Sequence, residues 1–129
     1  MTGTQVAPTG QSVAARISNL VVGVMSSYTG RGPTRARTSM DDDLITVVLR
    51  DTLTKGERSL VADGRSKLVL DMRKAYQTTM GADLVAGVEQ LTGRTVIAFL
   101  SDNHIEPDIA IESFVLEPLR PLEPAAVLD

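Results

Sequence analysis

Between positions 102 and 108 the chain gathers Asp102, Asn103, its single histidine His104, Glu106 and Asp108. Carboxylates and an imidazole are metal ligands, and a metal needs three or four of them converging on one point. Asp102, His104 and Asp108 are the metal candidates of this sequence. The segment argues against them. It contains Pro107, it lacks the glycine and spacing of a calcium loop, and it sits between two apolar runs. A hairpin bend needs the same polar residue types. The expectation is therefore a solvated or capping loop, without metal. Asp41, Asp42 and Asp43 are read in the same way, as a polar turn, because three adjacent carboxylates cannot easily aim at one magnesium ion.

A different chemistry is available to Arg31, Arg35 and Arg37 in GRGPTRAR. On a strand Arg35 and Arg37 share one face, and guanidinium groups so placed bind a phosphate or an acidic partner. The piece lacks the pattern of a nucleotide phosphate loop. Nucleophilic catalysis finds no residue set: there is no cysteine, no GxSxG, and no serine partnered with His104 by spacing. The expectation is no enzyme activity and no cofactor.

The balance of residues narrows the partners. The net charge is −3 and the pI about 5.1, so no basic face for nucleic acid is expected. Aromatic residues are 3% of the chain, too few for base-stacking platforms. The apolar run Leu20–Met25 is far short of the about 20 residues that span a bilayer. No secretory pattern opens the sequence, so a cytoplasmic address without direct membrane insertion is expected.

These candidates must be positioned by the elements around them. Residues 1–10 read as a disordered lead, 11–118 as one domain, and 119–129 as a Pro-rich flexible tail. Val13, Ile17, Leu20, Val21, Val24 and Tyr28 form a helical stripe over Gln11–Tyr28, with Gly30 as its stop. Thr34–Met40 and Leu44–Arg50 read as strands. Thr54 and Glu57 match a capping box opening a short helix to about Ala62. A long helix over Arg65–Leu91 carries Val69, Met72, Tyr76, Met80, Leu84, Val88 and Leu91 as its stripe, and Gly81 and Gly87 leave open whether it bends or breaks near Gly81. Thr95–Leu100 and Ile109–Leu116 complete the set as strands.

The predicted class is α+β, a small antiparallel sheet of about four strands with packed helices, in the order αββ-α-αββ. Thr29-Gly30-Arg31 and Thr92-Gly93-Arg94 each close a helix and precede two extended runs around an acidic turn, so an internal repeat is expected. Leu44–Leu49 is apolar on both faces, and in Val96–Leu100 Ile97 and Phe99 oppose Val96, Ala98 and Leu100. Strands of that kind are covered on both sides. Either the helices divide between the two faces, or they cover one and a partner covers the other. A homodimer is the simplest form of the second case.

TGRGP, DTLT, the second TGR and SDNH…PD together resemble the MpsC-like family, across about Ser12–Pro118. The resemblance implies a component of a sodium-translocating system that generates a membrane potential. The ion would be carried by membrane subunits, and this chain would be an accessory or regulatory subunit, held at the inner membrane through them. No catalytic residue is carried over. The alternative function is a stand-alone module binding an anionic small molecule through Arg31, Arg35 and Arg37.

Overall fold

The computed structural model describes residues 11–119 and 125. The expected lead, and nearly all of the expected tail, lie outside them. Seven elements follow in the predicted order: α1 (Val13–Thr29), β1 (Arg35–Asp41), β2 (Leu44–Arg50), α2 (Lys55–Ala62), α3 (Ser66–Thr92), β3 (Val96–His104) and β4 (Ile109–Leu116). The strands form one antiparallel sheet in the order β1-β2-β4-β3. The class is α+β.

Local chemistry sets the helix ends. Ser12 caps α1, its hydroxyl accepting from the Ala15 N–H. Thr54 and Glu57 form the full capping box of α2, each side chain satisfying the other's backbone N–H. Gly30 and Gly93 end α1 and α3 at φ 81° and 69°, in the left-handed region where a side chain is costly.

The two TGR triplets do the same work. Thr29 and Thr92 each bond back to the carbonyl four residues earlier. Arg31 then donates to the carbonyl of Asp51, the first residue after β2, at 2.8 Å. Arg94 donates to the carbonyl of Glu117, the first residue after β4, at 2.9 Å. The halves are thus related by an approximate two-fold axis normal to the sheet, between the central strands β2 and β4.

Helix α3 runs unbroken for 27 residues, so the chain does not break at Gly81. Both of its central glycines sit at close approaches. A Cβ on Gly81 would meet the Phe99 ring at 3.5 Å, while one on Gly87 would lie 2.6 Å from the Leu20 methyl carbons. Gly87 is what lets α1 close onto α3; tertiary packing offsets the glycine penalty.

Alternation along the strands sends Ile45, Val47 and Leu49 of β2, and Ala110, Phe114 and Leu116 of β4, inward. There they meet Ile17, Val21 and Met25 of α1, and Met80, Leu84 and Val88 of α3. A bulge at Ile97 shifts the pairing from Val96↔Leu116 to Ala98↔Val115. It corrects the expected alternation in β3: Val96 and Phe99 both join the core, Ala98 and Leu100 face out, and Ile97 is left 58% exposed. Helices α1 and α3 cover one face of the sheet and α2 packs against α3. Among the described residues no helix lies on the opposite face.

Candidate functional site

The expected loop from Asp102 to Asp108 is shorter than the sequence implies, because β3 continues through His104. Asp102, Asn103 and His104 are strand residues, and only 105–108 make the turn. The metal candidates are drawn apart. Asp102 accepts from the Asn103 N–H, and the His104 Nδ1 lies 2.8 Å from the Pro107 carbonyl. Asp108 turns toward the β2–α2 connection at the same end of the sheet, where it accepts from the Thr52 N–H and hydroxyl and the Leu53 N–H. It holds the β2–α2 connection rather than standing in solvent. No group of three or more metal-ligating side chains comes together among the described residues.

The Asp41–Asp43 segment also changes. Asp41 belongs to β1, Asp42 takes a positive φ of 50° in the two-residue turn, and Asp43 pairs with Arg94 at 2.5 Å. That last contact anchors the turn, where a purely solvated one was expected.

The three candidate arginines divide. Arg31 is committed to Asp51 and to the carbonyls of Asp51 and Leu53. Asp51 also accepts from Thr34 and Arg58, and the Thr34 and arginine hydrogen bonds hold its carboxyl below the usual range. Arg35 and Arg37 stay together on the uncovered face, and Arg50 joins them, because Arg35 pairs with Arg50 across β1 and β2. These three arginines line a groove of about 330 Å³ with Ala36 and Val48. Among the described residues no carboxylate pairs with any of the three.

The uncovered face has an ordered pattern. Register places four residues in each outward row, one from each strand. One end row is Asp41, Leu44, Val115 and Ala98, and the next is Ser39, Thr46, Ser113 and Leu100. Then come Arg37, Val48, Ile111 and Asp102, and last Arg35, Arg50, Ile109 and His104. The middle of the face is apolar and open: Leu44 is 43%, Ile111 41% and Leu100 58% exposed. Positive charge lies along the β1 side and Asp102 along the β3 side. Exposed apolar side chains on both sides of the Thr46–Ser113 pair, rimmed by charge, mark an interaction site.

The burial of several polar groups escaped the sequence reading. Arg73 is 2% and Glu57 6% exposed, and they pair through the Arg73 Nε at 2.8 Å and a second, shorter contact; Arg73 also donates to the Thr52 carbonyl. Burial alone would push the Glu57 carboxyl up, but Arg73 and the Thr54 N–H outweigh it and hold it low. Glu112, 1% exposed, sits opposite Ser101 on the covered face. Burial pushes its carboxyl up to about 7, against the pull of Ser101 and Arg73. Gln77 Nε2, Ser101 Oγ, Asn103 Oδ1 and Glu112 Oε2 are buried without a protein partner. The capping-box signal found Glu57 but said nothing of Arg73. Glu112 was legible only as one polar position in an apolar strand.

The structure therefore defines a two-layer α+β protein with helices on one side of a four-stranded sheet and an exposed apolar face on the other. Residues 9–118 match the family model described as "Na+-translocating membrane potential-generating system (MpsC)", and the chain belongs to that family. Neither the curated proteins nor the solved structures provide a match. Among the described residues no helix is long and apolar enough to cross a membrane.

Proposed function

We propose that this chain is a non-catalytic accessory subunit of a sodium-translocating, membrane-potential-generating system, acting through protein contacts. Family membership supplies the system. The uncovered sheet face is the observation that carries the mode of action, since an apolar surface of this kind is an interface in soluble and membrane assemblies alike. Ion movement belongs, on this reading, to membrane-embedded subunits, and the chain stays at the cytoplasmic side of the inner membrane through them.

The test is genetic and biochemical together. Deleting the chain in its native cell should lower the sodium-dependent membrane potential, and the wild-type chain should restore it. Ile111→Arg, which places a charge in the middle of the face, should fold and fail to restore it. Full restoration by Ile111→Arg would remove the role of the face. An unchanged potential on deletion would remove the role in the system.

A second reading has its own observation. Arg35, Arg37 and Arg50 stand together without carboxylate partners, which favours a module binding a phosphate-like or carboxylate anion at the β1 edge.

A further inference from the structure

We propose that the partner fitted by the uncovered face is a second copy of this chain, stacked on it about a two-fold axis that runs parallel to the strands between β2 and β4. The inference rests on reading that face as an interface, and it names the occupant. The argument is the pattern of the face itself. A two-fold axis in the plane between two stacked sheets superposes each row on the same row of the other copy and exchanges the strands, β1 with β3 and β2 with β4. The two copies then meet in register.

At the centre Leu44 covers the partner's Val115, and Val48 covers the partner's Ile111. Between those apolar pairs Thr46 covers the partner's Ser113, polar on polar. At the edges the row containing Val48 and Ile111 has Arg37 on β1 and Asp102 on β3, so each Arg37 lies over the partner's Asp102, twice in the dimer. A self-complementary patch is what two-fold association requires.

The competing two-fold axis runs across the strands. It reverses the row order and keeps each strand over itself. Arg35 would then face the partner's Asp41, but Leu44 would fall on Arg50, and Thr46 on Val48. Both axes set Arg50 against an aliphatic side chain, the partner's Leu44 across the strands or the partner's Ile109 along them. The strand-parallel axis is favoured because it alone keeps Leu44 on Val115, Val48 on Ile111 and Thr46 on Ser113, whereas the cross-strand axis also sets Leu100 on Asp102. The aligned packing of twisted sheets at about 30° tolerates the strand-parallel arrangement, since long charged side chains span the offset at the edges. Four strands of about seven residues make a face of roughly 19 by 24 Å, about 900 Å² buried over both copies and below the range of stable interfaces, so a weak, reversible dimer is expected.

Charge exchange tests both the dimer and its axis. Wild type, Arg37→Asp, Asp102→Arg and an equimolar mixture of the two variants are run by size exclusion with light scattering across a dilution series, at low salt. Circular dichroism checks the fold of each. Wild type should dimerise in the micromolar range. Each variant alone sets like charges at two contacts and should dimerise about tenfold or more weakly. The mixture should recover the wild-type affinity as a heterodimer, because both of its edge contacts are again opposite in charge. Recovery by mixing Arg35→Asp with Asp41→Arg instead would establish the cross-strand axis and overturn the proposed one. A wild-type monomer at 100 μM would overturn the self-association, and dimers indifferent to all four changes would overturn its placement on this face. If the monomer result came with loss of complementation by Ile111→Arg, the face would still be an interface, for a subunit other than itself.

Discussion

Replacing Glu112 by glutamine should make the protein more stable at neutral and alkaline pH, and only there. Glu112 is buried, and its carboxyl titrates near 7 in the folded chain against an ordinary value of 4.5. Between those values the folded state holds a proton that the unfolded state has released. Stability therefore falls as pH rises through this window, and the loss is complete above about 7. At about 1.4 kcal/mol for each pH unit of the gap, the full effect is roughly 3 kcal/mol. Glutamine keeps the shape and the hydrogen-bonding capacity and removes the ionisation. Urea unfolding of both proteins, at one protein concentration and at pH 5, 6, 7 and 8, reads the difference directly. The curves should nearly coincide at pH 5 and separate by about 2–3 kcal/mol at pH 8, with the variant the more stable. Asp51 and Glu57, whose carboxyls lie below their ordinary values, give stability that is fully present above those values and lost in acid. They do not contribute within pH 5–8. A wild-type minus variant difference that stays flat from pH 5 to 8 would refute the buried-carboxyl reasoning.

Arg73→Met strands the Glu57 carboxylate in the core and should cost about 3–5 kcal/mol, whereas the pair Arg73→Met with Glu57→Gln should recover much of it in the same urea assay. Gly81→Ala places a methyl in ordinary contact with Phe99 and should raise stability by up to about 1 kcal/mol through helix propensity. Gly87→Ala gains the same propensity but drives into Leu20, so it should fall about 1–3 kcal/mol below Gly81→Ala, with Leu20→Ala relieving the difference. If the anion reading holds, phosphate at fixed ionic strength should raise the melting temperature of the wild type, and less that of Arg50→Gln; a flat titration removes that reading.

Much of the fold was legible because it depends on local signals. The helical stripe of α1, the capping box at Thr54 and Glu57, the two TGR closures and the β-branched run of β2 each act within a few residues. Their agreement fixed the element order and the class. The misses share a cause: contacts made over long sequence separations. Met72 and Tyr76 continue the α3 stripe by spacing, yet Arg73 and Gln77 are the buried residues on that turn. The reason is Glu57, whose carboxylate the capping box holds where Arg73 can reach it; nothing in the spacing of α3 records that partner. The bulge at Ile97 and the extension of β3 to His104 depend in the same way on pairing with β4. A strand can be recognised from its own residues, but its end and its register belong to its neighbour.

The site was legible in outline for a related reason. Two-sided apolarity in β2 is a property of one strand, and it marked both faces of the sheet as apolar; the helices cover one of them. Which face the helices take is decided by the stripes on α1 and α3, which converge on Val47 and Phe114 from the same side. Both helix–strand connections, at Gly30 and Gly93, close a helix on a left-handed glycine with a threonine bonded back four residues, and an internal two-fold axis normal to a sheet returns every element to the same side of it. The repeat read from TGR thus implies more than a similarity between halves. It obliges α1 and α3 to share a face, and so leaves the other face bare. Among the described residues such a repeat leaves no helix for that face, and this is the physical ground on which the proposed partner rests.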